Sequence, residues 1–171
     1  MSYATAMLAT YANMLGTLDH LITKAEAHAK GEALLKARLA EDMFPLATQL
    51  RYLANMPGEG LARLTGLDFT SSDEDPATFA EARERIAATR SLVAASDPAS
   101  WPASGDMVEF TLPNGMAFAM QAHEYCRDWA TPQFYFHLMA VYTILRAEGL
   151  AIGKADFVGY MFKYMKQPNP A

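Results

Sequence analysis

The chain has 171 residues, of which 51% are hydrophobic, enough to enclose one core and too few for a second full domain. A net charge of −5, an isoelectric point near 5.3 and no run of lysine or arginine longer than a pair exclude the basic footprint that binds phosphate backbones, so no nucleic-acid partner is expected. No stretch approaches the roughly 18 uninterrupted apolar residues of a membrane-spanning helix. The lone cysteine, Cys126, and the lack of a basic-then-apolar leader point to a cytoplasmic protein without disulfides.

The first helix is expected over about residues 3–29, capped by Ser2. Met7, Tyr11, Met14, Leu15, Leu18, Leu21, Ile22 and Ala25 recur at three- and four-residue steps and form one broad apolar stripe. After a turn at Gly31 and a short helical piece through Leu34 and Leu35, Asp42 reads as the cap of a second helix over about 43–64. Pro45 falls in its first turn, and Pro57 with Gly58 imposes a break. "TSSDEDP" is a loop, and Asp75 followed by Pro76 opens a third helix over about 76–95, with Phe79, Ala82, Ile86, Thr89 and Val93 facing inward.

The period then changes from about 3.6 to 2. Val108, Phe110 and Leu112, then Met116, Phe118 and Met120, alternate with neighbours on either side of Asn114-Gly115, a pair that tolerates positive φ; this is a β-hairpin over about 107–120. "HEYCRDWA" is a helical turn or two, and Pro132 opens the fourth helix over about 132–148. A loop, a short helical segment and a frayed tail close the chain. The pattern is that of an all-α four-helix bundle carrying one hairpin insertion between its third and fourth helices, as a single domain over 1–171.

Familiar catalytic motifs such as GxGxxG, GxSxG, HExxH and CxxC are missing. Cys126 reads as a small buried hydrophobe. His20 falls on the polar side of the first helix, His28 at its end, and His123 in a connector. His137 differs, because it shares a helical face with Phe134, Val141 and Ile144 and so turns inward. An inward imidazole needs hydrogen-bond partners or a ligand; Gln133 lies one turn earlier, Tyr135 nearby and Tyr142 one turn later.

"ARLAEDMFPLATQL" at the second helix, "FYFHLMAVYTILRAEG" as the fourth and "GKADF" after it resemble a bacterial domain-of-unknown-function family of the DinB/YfiT-like superfamily of metalloenzyme-like proteins. The resemblance covers nearly the whole chain in order, hairpin included. It implies an up-down-down-up bundle, frequently a homodimer. It also implies a divalent metal such as zinc or nickel held by three histidines, one early in the second helix and two spaced HxxxH on the fourth. The aligned positions are Gln49, Gln133 and His137, so one histidine of three is present, and Asp42 is the acidic residue near enough in sequence to add a ligand. Glutamine is a weak oxygen ligand for zinc or nickel.

Three functions compete on this basis. The first is a non-enzymatic or cryptically active dimeric bundle with a vestigial metal or small-molecule pocket between the second and fourth helices. The second is a metal-dependent hydrolase or thiol S-transferase of DinB-like type. The third is an interaction module, motivated by the crowded apolar end "FVGYMFKYMK".

Overall fold

A computed structural model describes residues 1–166. The expected frayed end lies outside the described residues. The chain is mostly helical, with four long helices: α1 (Tyr3–Glu26), α2 (Leu46–Thr65), α3 (Phe79–Ala95) and α4 (Thr131–Ala147). A two-stranded antiparallel sheet, β1 (Met107–Thr111) and β2 (Ala117–Gln121), stands between α3 and α4. α1 and α2 each pack against both α3 and α4, which places the core along a four-helix seam. No helix among the described residues is long and apolar enough to cross a membrane.

Local chemistry accounts for most of the elements. Ser2 caps α1 by accepting the Thr5 amide at 3.1 Å. The apolar stripe of α1 is buried along its length, with Leu15, Leu18 and Leu21 fully enclosed. Each such leucine contributes roughly 1.5–3 kcal/mol of apolar transfer. In the hairpin Phe110 pairs with Phe118, their rings stacked at 5.2 Å, and Gly115 adopts the positive φ of 86° that its turn needs.

Several sequence boundaries are corrected. α1 ends at Glu26 rather than Ala29, and His28 sits in the following turn, where its Nδ1 accepts the Lys30 amide at 3.3 Å. Asp42 is exposed in a turn and caps nothing; α2 starts at Leu46 with Pro45 as its extended N-cap residue. α2 also runs through Pro57 without ending. Tertiary hydrogen bonds hold this stretch: Thr89 of α3 donates to the Ala54 carbonyl at 2.7 Å, and the Asn55 amide exchanges two bonds with the Ser72 backbone. Gly58 leaves room for the Phe69 ring, which lies 2.3 Å from where a Cβ would stand.

α3 begins at Phe79, not at residue 76. The Asp75 carboxylate is taken by α2, accepting from Thr48 at 2.6 Å and pairing with Arg51 at 2.9 Å, so Thr78 caps α3 instead. "HEYCRDWA" becomes one helical turn (Ala122–Glu124) followed by a π-helical segment, Tyr125–Ala130, that runs into α4. Such widened turns occur disproportionately at functional sites.

Past α4, "GKADF" forms a short turn anchored on α1. One Asp156 oxygen accepts from His20 at 2.9 Å and Lys24 at 2.7 Å, and the other accepts the Gly153 amide at 2.7 Å. These bonds, the His20 one first, hold the Asp156 carboxyl well below the usual carboxylate range. The apolar end divides: Phe157 packs on Tyr142 at 5.6 Å, whereas Phe162, Tyr164 and Met165 are largely exposed.

Candidate functional site between α2 and α4

Along the α2–α4 seam, contacts descend α4 as they ascend α2. Gln49 meets His137 at one end; further along, Met56 and Arg63 lie beside Gln133 and Ala130. These two ends differ in chemistry.

At the first end His137 is 9% exposed and its Nδ1 lies 2.7 Å from Gln49 Oε1, itself buried. The Gln49 amide nitrogen donates to the Phe44 carbonyl at 3.3 Å, which fixes which way the amide points. Its oxygen can only accept, so the proton of a neutral His137 sits on Nδ1 and the lone pair on Nε2. Burial keeps the ring neutral by pushing its pKa down to about 4. Tyr52 packs on the imidazole at 4.8 Å and Phe136 edges it at 5.3 Å.

At the second end a cavity of about 100 Å³ opens among Tyr11, Glu59, Arg63, Tyr125, Trp129 and Gln133. The Tyr11 hydroxyl is buried and finds no hydrogen-bond partner among the described residues, although its residue is only 1% exposed. Arg63 donates to the Tyr125 hydroxyl at 3.1 Å, lies 3.7 Å from Glu59, and stacks its guanidinium over Phe110 of β1 at 4.8 Å. Burial raises the pKa of both tyrosines, Tyr11 the more strongly, so both hydroxyls stay protonated. The hairpin contributes Leu112 and the π-helical segment contributes Tyr125, Trp129 and Ala130, so the inserted elements wall this cavity.

The three positions aligned to the superfamily triad therefore divide. Gln49 and His137 are hydrogen-bonded to each other, and Gln133 borders the cavity instead. Asp42 is exposed in its turn before α2. Tyr135 lies on an apolar surface groove with Leu39, Phe136 and Met139, and Tyr142 packs on Phe157. Among the described residues no three histidine, cysteine, aspartate or glutamate side chains converge as a metal cluster. Sequence reasoning missed Arg63, Tyr125 and the cavity-lining hydroxyl of Tyr11. The one available signal was that Tyr11 carries a hydroxyl into an otherwise apolar stripe, where it requires a partner.

A family model described as "Domain of unknown function (DUF1993)" matches residues 3–158. The chain belongs to the DUF1993 family. A comparison with curated proteins gives no match. Among solved structures, this DUF1993 chain is similar to a crystal structure of a DinB family member protein from Shewanella denitrificans. The two share 30% identity over 96% of this chain and 92% of that one, with a TM-score of 0.77. The DUF1993 fold seen here is thus DinB-like.

Proposed function

We propose that this DUF1993 protein is a cytoplasmic, homodimeric, up-down-down-up helical bundle that binds a small molecule between α2 and α4 and does not hold zinc or nickel tightly. The observation that carries this reading is the hydrogen bond from His137 Nδ1 to Gln49 Oε1. It uses one nitrogen of the only triad-like histidine and the one ligand-capable oxygen of Gln49, while Gln133 is directed to a separate cavity. One neutral imidazole nitrogen and a glutamine amide make a donor set that does not fit a high-affinity transition-metal site. Metal analysis of tag-free protein, followed by zinc, nickel and manganese titration, is expected to give well under one equivalent. Stoichiometric tight binding that disappears in His137→Ala overturns the reading.

The competing enzymatic reading, a metal-dependent hydrolase or thiol S-transferase of DinB-like type, draws support from the unprotonated Nε2 of His137. Turnover of thiol cofactors and electrophiles by metal-loaded protein would favour it. Dimerisation is supported by the apolar groups left outward at Phe162, Tyr164 and Met165, since neighbouring exposed apolar groups mark interaction surfaces. Light scattering on a chain ending at Gly153 is expected to report monomer; an unchanged dimer would remove this segment from the interface.

A further inference from the structure

Gly60 of α2 lies beside two residues that line the second-end cavity, Tyr11 and Tyr125. A Cβ placed there would lie 3.4 Å from the Tyr11 hydroxyl and 3.8 Å from the Tyr125 hydroxyl, so both oxygens approach one point above a residue with no side chain. The Tyr125 hydroxyl accepts from Arg63 and keeps its own proton to donate. The Tyr11 hydroxyl has neither donor nor acceptor among the described residues. Two undissociated phenols converging on one small space are donors awaiting an acceptor oxygen, because a buried hydroxyl left unpaired is costly.

We propose that the second-end cavity, between the Tyr11 and Tyr125 hydroxyls and Glu59, binds a small uncharged carbonyl compound of the primary-amide class. Its carbonyl oxygen accepts from Tyr11 and Tyr125, and its amide N–H groups donate to Glu59. This rests on the reading that the α2–α4 seam is a ligand site and names what the site takes. Size sets the first limit: about 100 Å³ corresponds to roughly three water molecules at ~30 Å³ each, which admits a ligand of four or so heavy atoms. Charge sets the second. Arg63 and Glu59 bring one positive and one negative group to the same wall, so the lining is formally neutral, and an added anion would be buried without a counter-charge. The donor inventory sets the third. Glu59 spends one oxygen on Ser71 at 2.6 Å, and its other, 3.7 Å from Arg63, retains acceptor capacity for an N–H.

The test is methyl NMR on the full chain with labelled methionines, because the Met7 Cε would stand 3.8 Å from a Gly60 Cβ and Met56 lines the cavity. Acetamide is the probe, acetate its charged counterpart, and affinities on the order of millimolar are expected for so few atoms. Saturable shifts of both methyls with acetamide are expected, weakened roughly tenfold in Tyr11→Phe. Gly60→Ala should abolish them, and this variant keeps the fold, since its methyl meets only ordinary van der Waals contacts at 3.4 Å and beyond. Equal acetamide binding by Tyr11→Phe overturns the site. Tighter binding of acetate than of acetamide, or saturation only by other polar fragments of similar size, overturns the amide class and leaves the ligand-binding seam standing. No saturation by any fragment, with only ordered water in the cavity of a crystal soaked in acetamide, overturns both.

Discussion

The two ends of the α2–α4 seam hold the same kinds of group and resolve them in opposite ways. At the Gln49 end a buried polar side chain has found a partner: the His137 proton goes to an amide oxygen whose nitrogen is tied to the Phe44 backbone. At the Gly60 end a buried hydroxyl has none among the described residues, and a missing side chain leaves space beside it. The first arrangement is that of a satisfied core; the second sets an unsatisfied donor beside open space. The position matching a superfamily ligand is therefore the structural one of the two, and the cavity bordered by residues outside the triad carries the stronger mark of binding.

Substitutions can break this contrast. The largest effect is expected for Gln49→Leu, which strands the His137 N–H in an apolar setting and should cost about 2–3 kcal/mol in urea unfolding. Adding His137→Leu should recover most of that loss, and a double variant as unstable as the single would mean the two residues are not coupled. Acid should act at the same end. His137 has a folded pKa, about 4, below its ordinary 6.5, so its neutral state stabilises the fold fully above pH 6.5, and that contribution is lost as pH falls toward 4. With allowance for solvent screening, about 2 kcal/mol should disappear over this window in wild type and not in His137→Leu, which denaturant midpoints at several pH values would measure.

At the other end the signs reverse. Tyr11→Phe removes an unpaired buried hydroxyl and should leave stability unchanged or raise it by up to about 1 kcal/mol, read as a melting-temperature gain of roughly 2–4 °C. A loss exceeding about 1 kcal/mol would show that the hydroxyl is already bonded to ordered water. The smallest effect is expected for Gly60→Ala, a stabilisation of about 0.5–1 kcal/mol from helix propensity alone. Destabilisation there would indicate that the added methyl displaces a wall of the cavity.

How far the sequence could be read differs by element. Helix α1, the hairpin and α4 follow from periodicity, and Phe134, Val141 and Ile144 are buried beside His137 as their shared face implies. The inward turn of His137 was legible for the same reason. Capping was less so. Asp42 and Asp75 both satisfy the residue preferences of an N-cap, yet Asp42 lies in a solvent-facing turn and Asp75 is drawn to Thr48 and Arg51, which are distant in sequence. Pro57 opposes helix continuation locally, but hydrogen bonds from Thr89 and the Ser72 backbone hold the surrounding turns. The cavity was the least legible, since Tyr11, Arg63 and Tyr125 come from three separate segments and none carries a motif.

By itself the sequence determined the helical class, the hairpin and the DinB-like resemblance, because side-chain period, turn chemistry and residue order are local properties of the chain. Only the tertiary structure decided that Gln49 answers His137, that Gln133 does not join them, and that two tyrosine hydroxyls both come within 4 Å of one point beside Gly60. Hydrogen-bond partnership and enclosed space depend on which distant segments are packed together, and no spacing along one segment encodes that.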